Sequence, residues 1–560
     1  MTIDRRRALG LLGLGAAAIP GTSEALSLAA VPGARFTHGV AAGDPLHDRA
    51  VLWTRILPED PSAATRWLVR CEIAEDPDFR SLARAPLGRL RPDRDWTVKI
   101  DARGLKPGRE YWYRFVTGEA RSPVGRFRTL PVGRTEDLVL ATVSCALWSS
   151  GLFNVYDALS REERLDAVIC LGDYIYEYGG APGDYGMNVG GQKIGRIPDP
   201  PHETVSLDDY RRRHAQAKSD PDLQAAHARA AWICVYDDHE LTNDPWQGGA
   251  QNHNPDKGEG AWADRKAAAL RAFYEWMPIR EPRPGRTREE IYRSFRFGDL
   301  AALHMLESRL LARSEQLEYD LDDVEGFRRR LNDPGRRLLG QKQLDWLRGQ
   351  LRRARADRVA WQVLGQQIVM ARVQGPDLVK AAGQAAVDKG LAGITDGRRR
   401  RIEAQLKAAA LGLPMNLDAW DGYPAERARL YGLLKDAGPT VVLSGDVHSS
   451  WANTLHDGAG APVAVEFVGS AVSSPRPSFS TLVPGLPIDQ IVIDQNPDVD
   501  WMESEPRGYV KLTFTRAEAR AEFVGVSTVM AKPYRTRLLK AFTARADGAD
   551  GAGVPSLAAV

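Results

Sequence analysis

The chain has 560 residues, 43% hydrophobic and 26% charged, which is the balance of a water-soluble globular protein too long for one ordinary core. Its 75 basic and 73 acidic residues leave a formal charge of +2, which excludes bulk attraction to nucleic acid or to an anionic membrane. No internal stretch is apolar over the length that a bilayer span needs, so no transmembrane segment is expected.

The N-terminus reads as an export signal. Arg5-Arg6-Arg7 precedes an apolar, Gly- and Ala-rich run from Ala8 to Ile19, followed by Pro20 and small residues to about Ala30. A charged start, a short apolar core and small residues mark a signal peptide rather than a membrane span. The paired arginines resemble a twin-arginine (Tat) signal, with Asp4 where Ser is commoner. Segment 1–30 is therefore expected to engage the Tat export machinery and to deliver the protein to the periplasm or beyond.

Residues 34–132 are expected to form an antiparallel β-sandwich. Val51-Leu52-Trp53-Thr54-Arg55, Trp67 to Ile73, Trp96 to Ile100 and Tyr111 to Phe115 are β-branched or aromatic runs separated by turn residues such as Lys106-Pro107-Gly108. From 137 to about 530 the texture is α/β, with central sheets flanked by helices. Apolar runs end near Cys145, Asp173, Asp238, Arg309, Gln366, Asp446 and Ser470, and residues 205–231, 258–276, 338–356 and 425–437 carry helical periodicity. Segments 180–203 and 243–260, rich in Gly, Pro and Asn, are expected to line a site. Residues 376–412 read as a helical insertion whose run Arg398 to Arg401 is a solvated face. In the C-terminal segment 531–560, the last residues, from 545, read as disordered.

Three scattered segments place acids and metal-binding groups just after buried runs: Gly172-Asp173-Tyr174-Ile175-Tyr176, Asp237-Asp238-His239-Glu240 and Gly445-Asp446-Val447-His448. Strand ends are where a scaffold assembles one site from distant sequence. A turn returns Tyr176 to the side of Asp173, and Asp446 and His448, two apart in an extended chain, face one way. Carboxylate and phenolate together suit a strongly Lewis-acidic cation, because the phenol's ordinary pKa near 10 must be overcome. Burying Asp237, Asp238 and Glu240 without cations would be costly. His239 is either a ligand or a general acid, its ordinary pKa suiting proton delivery to a leaving alkoxide. Arg309, after Leu303 to Leu306, is expected either to hold a phosphoryl oxygen in a two-bonded fork or to pair with a structural carboxylate. Four cysteines are too few for a disulfide scaffold; Cys170 and Cys234 read as core thiols, whereas Cys145 sits at the strand-end level of the acids.

Together these residues resemble the PhoD-like alkaline phosphatases, a branch of the calcineurin-like metallophosphoesterases. The resemblance spans roughly 34–525, through Phe36 to Pro45, Ser144-Cys145, Gly172 to Tyr178, Asp237 to Glu240, Gly249 to His253, Asp421 to Pro424, Gly445 to Trp451 and Glu466 to Ser470. It implies a calcineurin-like fold for 137–530 and a ferric ion with calcium ions (Fe3+ and Ca2+) acting on a small-molecule phosphate ester. By matching position, Cys145, Asp173, Tyr176 and Asp446 would hold iron, and Asp173, Asn243 and Asp446 would face calcium. His239 and His448 would sit near the phosphate, with Arg309 as a third catalytic candidate and Asp238 and Glu307 as additional site residues. Glu307-Ser308-Arg309 departs from the Asp-Thr-Arg of many members and alters the pocket wall. Phospholipase D-like cleavage of diesters is therefore the alternative activity, and a non-catalytic exported metal-binding protein the competing class.

Overall fold

In the computed structural model, residues 30–62, 67–181, 189–392, 394, 396–477, 479–546 and 553–560 are described. The expected signal segment lies outside them as far as residue 29. Two mixed sheets carry the site. The first runs Pro555–Ala559, Thr536–Ala546, Glu518–Val526, Arg507–Thr515, Asp137–Val143, Ala167–Cys170, Ala231–Cys234, Val40–Gly43, Arg49–Arg55, Thr97–Arg103. Its centre is parallel, with Val143 opposite Cys170 and Cys170 opposite Cys234. The second runs Arg293–Phe297, Ala301–Met305, Trp361–Gly365, Thr440–Ser444, Pro462–Val468, Ser450–His456, Val499–Glu503 and is parallel from the second strand to the fifth.

The two sheets share one core. Ile169 and Ile233 of the first belong to the same buried cluster as Leu303, Val363, Val441 and Phe467 of the second. Inner parallel strands are covered on both faces, so they read as unbroken apolar runs; Ala167–Cys170, Ala231–Cys234 and Thr440–Ser444 are buried at every position. The site lies where these strands end.

The N-terminal β region is not closed on itself. Strands within 68–128 form a small antiparallel sheet, and its Val69, Ile73, Tyr113 and Phe115 pack against Val40, Leu52, Val98 and Ile100. The opposing layer, however, is the end of the large sheet, joined by the parallel pairing of Ala42 with Ala231. Val40–Gly43 is buried throughout, as an inner strand must be, and nothing local in sequence names its partner.

The C-terminal segment corrects the expectation of disorder. Thr536–Ala546 pairs antiparallel with Glu518–Val526, and Pro555–Ala559 pairs in turn with Thr536–Ala546. Phe542 and Ala544 bury against Phe523 and Trp501, which supplies the apolar contact that the Gly- and Ala-rich tail lacks locally. Segment 376–412 contains the helices Leu378–Ala382, Gln384–Leu391 and Asp396–Ala410. No helix among the described residues is long and apolar enough to cross a membrane.

Candidate metal centre

Three of the strand ends turn out of their sheets through an unusual backbone conformation. Cys145, Asp173, Asp446 and His448 have φ of 61°, 54°, 70° and 55°. L-residues avoid this left-handed region, and such strain concentrates where surrounding structure holds a functional side chain in place. Gly172, at φ 112°, is required for a further reason: a Cβ there would lie 2.3 Å from Cβ of Asp237. The two acidic strand ends can approach only across a residue without a side chain.

Glu240 fastens them. Its carboxylate accepts the backbone N–H of Asp173 at 3.0 Å, of Tyr174 at 2.6 Å and of Asp237 at 2.8 Å. One buried side chain thus ties the ends of two neighbouring strands. Burial raises its pKa to about 8 against the opposing effect of the Asp237 and Tyr174 N–H donors.

Three overlapping groups of ligand atoms result: Cys145, Asp173 and His448; Asp173, Asp238 and His239; Asp237, Asp238 and Asp446, the atoms of each within 4.8 Å of one another. Asp173 and Asp238 each belong to two groups. The Tyr176 hydroxyl donates to Asp173 Oδ2 at 2.9 Å, lies 3.3 Å from His448 Nε2 and accepts from Ser474 Oγ at 2.8 Å. Thiol, carboxylate, phenol and imidazole from Cys145, Asp173, Tyr176 and His448 therefore meet at one place.

The two histidines are held differently. His448 Nδ1 lies 2.8 Å from the Pro475 carbonyl, which fixes the Nδ1–H tautomer and turns the Nε2 lone pair toward Asp173 and Tyr176. Burial, then Arg507, lowers its pKa to about 3. His239 stacks on Tyr176 with ring centres 4.2 Å apart, and its Nδ1 lies 2.7 Å from Glu177 Oε2. Burial disfavours its charge, but Asp238, Glu177 and Asp173 more than offset that, so its pKa lies well above the ordinary value. Glu177 is fully buried and also accepts from the Asn243 N–H at 2.8 Å and Asn252 Nδ2 at 3.1 Å.

Some expectations are redirected. Arg309 is fully buried, and carboxylates occupy its fork: Nε donates to Asp237, Nη1 to Asp418 at 2.5 Å and Nη2 to Asp446 at 3.1 Å. Of its two expected roles, the structure shows the pairing with carboxylates. Glu307 does not line the site; its carboxylate accepts the N–H groups of Arg309, Leu310 and Leu311 and shapes the turn that carries Arg309. The Asn243 side chain accepts from Tyr178 and donates to Gln251. Glu177, Asp418 and Ser474 are the residues that sequence reasoning missed. The first two carried one signal, a lone acid inside an otherwise apolar or aromatic stretch; Ser474 carried none.

A family model described as PhoD-like phosphatase matches residues 140–523, and one described as PhoD-like phosphatase, N-terminal domain, matches residues 22–131. The chain belongs to the PhoD-like phosphatase family. It is 34% identical over 552 residues to Alkaline phosphatase D of Bacillus subtilis (strain 168), covering 93% of this chain and 84% of that protein. A solved structure described as "Structure of PhoD" matches with a TM-score of 0.75 at 30% identity, covering 96% of this chain and 93% of the other. The chain is thus a phosphoric ester hydrolase of the alkaline phosphatase type.

PhoD-like phosphatases are metal-dependent, and the site fits cations by its own chemistry. Asp173, Asp237, Asp238 and Glu240 are all at most 2% exposed. Burial is the leading cause that raises the pKa of Asp173, Asp446 and Cys145 well above their ordinary values. Arg309 and His239 are the cationic groups that reach these acids, and Asp238 Oδ1 is buried without a hydrogen bond among the described residues, with Arg309 Nη2 3.6 Å away. Two cationic side chains do not match this many buried carboxylates, and the remaining negative charge is costly without a metal cation beside it.

Proposed function

We propose that the chain is an exported, metal-dependent alkaline phosphatase that hydrolyses phosphate monoesters and, more slowly, diesters. The convergence of Cys145, Asp173, Tyr176 and His448 at strand ends from two sheets carries this reading. Cys145, Asp173, Tyr176 and Asp446, joined by His448, suit a ferric ion, since soft, phenolic and carboxylate donors together match a strong Lewis acid. The all-oxygen group of Asp237, Asp238 and Asp446 suits calcium. When bound, the metals supply Lewis acidity toward phosphoryl oxygens and activate an oxygen nucleophile.

The protein's own residues do the rest. Glu240 and Arg309 hold the acidic strand ends in register. Glu177 holds His239 through Nδ1, leaving the proton on Nε2 for the departing alkoxide. Tyr176, stacked on His239, limits how far the ring can turn. The buried acids exclude bulk water from the reacting group.

One observation favours the diester as a second substrate class. With the Arg309 guanidinium held by Asp237, Asp418 and Asp446, its fork is not open to the extra charge of a monoester dianion. Turnover of p-nitrophenyl phosphate against bis(p-nitrophenyl) phosphate decides the order. Faster monoester turnover supports the proposal; cleavage of the diester alone replaces it with a phosphodiesterase. Asp173→Asn is expected to abolish both activities together with bound metal; wild-type turnover by that variant, metal-loaded, would refute the site.

Export through the twin-arginine route is part of the same proposal and suits a protein that acquires its metals before it leaves the cytoplasm. Replacing Arg5, Arg6 and Arg7 with lysine keeps the positive charge but removes the pairing. Cell fractionation is expected to find the variant retained inside; normal export would contradict that route.

A further inference from the structure

The insertion helix Asp396–Ala410 brings a cation close to the acidic cluster. Arg401 Nη2 lies 3.8 Å from Asp244 Oδ2, and the Asp244 N–H donates to Asp238 Oδ2 at 3.1 Å. One residue therefore separates this guanidinium from a carboxylate shared by two of the candidate ligand groups. The placement is fixed by packing on both sides of the helix. Ile402 buries among Val387, Leu391 and Leu482, and Ala408 among Phe327, Leu413 and Leu417. Leu417 adjoins Asp418, which holds Arg309.

Stability alone gives Arg401 little reason to be there. Its side chain is 66% exposed, and an exposed pair contributes only about 0–1 kcal/mol. At 3.8 Å the pair is ionic without a hydrogen bond, and Arg401 donates no hydrogen bond among the described residues. Its planar set of N–H donors is suited to a two-oxygen anion and is open to solvent.

We propose that Arg401 is a specificity residue that receives a second anionic group on the substrate, a carboxylate or phosphate a few bonds from the reacting phosphoryl. The proposal rests on the monoesterase reading above. Substrates with two anionic groups gain a contact at Arg401, whereas esters with a neutral remainder do not. The insertion thereby biases a general phosphatase centre toward polyanionic esters.

The test uses 3-phosphoglycerate and glycerol 3-phosphate, which differ by a carboxylate in place of a hydroxymethyl group. The wild-type enzyme is expected to favour 3-phosphoglycerate in kcat/KM. Arg401→Ala is expected to raise KM for 3-phosphoglycerate about tenfold, the effect of one charge-assisted contact, while kcat stays within about twofold. KM for glycerol 3-phosphate should stay unchanged, and Arg401→Lys should recover part of the loss. Equal effects on both substrates, or none on either, would overturn the proposal while leaving the phosphatase intact. If wild-type enzyme turns over neither compound, the monoesterase reading falls and this inference with it.

Discussion

His239 and His448 both lie beside Tyr176, yet their Nδ1 atoms are held by different groups, which suits them to different roles in the proposed reaction. A carbonyl holds His448 Nδ1, so Nε2 is left as a donor to a cation; a carboxylate holds His239 Nδ1, which stabilises an imidazolium. A general acid matters most when the leaving group is basic. His239→Asn is therefore expected to lower kcat by about a hundredfold or more for an alkyl phosphate such as glycerol 3-phosphate. For p-nitrophenyl phosphate, whose leaving group departs without a proton, the loss should be about tenfold or less. Equal losses for both would remove the proton-donor role. Glu177→Gln should follow the same pattern with a smaller amplitude, because it disturbs the orientation and charge of His239 and not its presence.

Among the elements, the joint between two strand ends depends on one carboxylate. Removing Glu240 would leave the N–H groups of Asp173, Tyr174 and Asp237 buried without an acceptor. Glu240→Ala is expected to destabilise the protein by about 3 kcal/mol or more, read from the shift in denaturant midpoint at unchanged slope. A loss under about 0.5 kcal/mol would mean that water or relaxation satisfies those groups. This joint also shows what the sequence could and could not disclose. Strand ends near Cys145, Asp173, Asp238 and Asp446 were legible, because inner parallel strands are uninterrupted apolar runs and the acids after them stand out. Nothing local at Gly172 shows that its hydrogen faces Asp237. Which acid ties backbone and which faces the centre was hidden, because Glu240, Glu307 and Asp238 are alike in type and all follow buried strands. Arg309 illustrates the same limit: a guanidinium beyond a strand end looks the same whether it awaits phosphate or is already held by Asp237, Asp418 and Asp446.

Over the whole molecule, long-range pairing decided what local pattern could not. The N-terminal β layer was visible as short aromatic strands, but its continuity with Ala231–Cys234 depends on a contact between residues nearly 190 positions apart. The C-terminal strands were missed for a related reason: their apolar partners, Phe523 and Trp501, lie in other strands. Ending the chain at residue 530 is expected to bare the edge of Glu518–Val526 and to raise aggregation in light scattering. A monodisperse, fully active truncation would show that these strands add nothing to the sheet's integrity.

The central claim is that Cys145, Asp173, Tyr176 and Asp446, with His448, bind a strongly Lewis-acidic metal. Metal analysis combined with a visible spectrum of the purified enzyme tests it most directly. About one iron per chain in a mixed centre with calcium is expected, together with a phenolate-to-iron charge-transfer band that Tyr176→Phe removes while Glu307→Gln leaves it in place. Iron-replete wild-type protein without that band, or a band that persists in Tyr176→Phe, would contradict it.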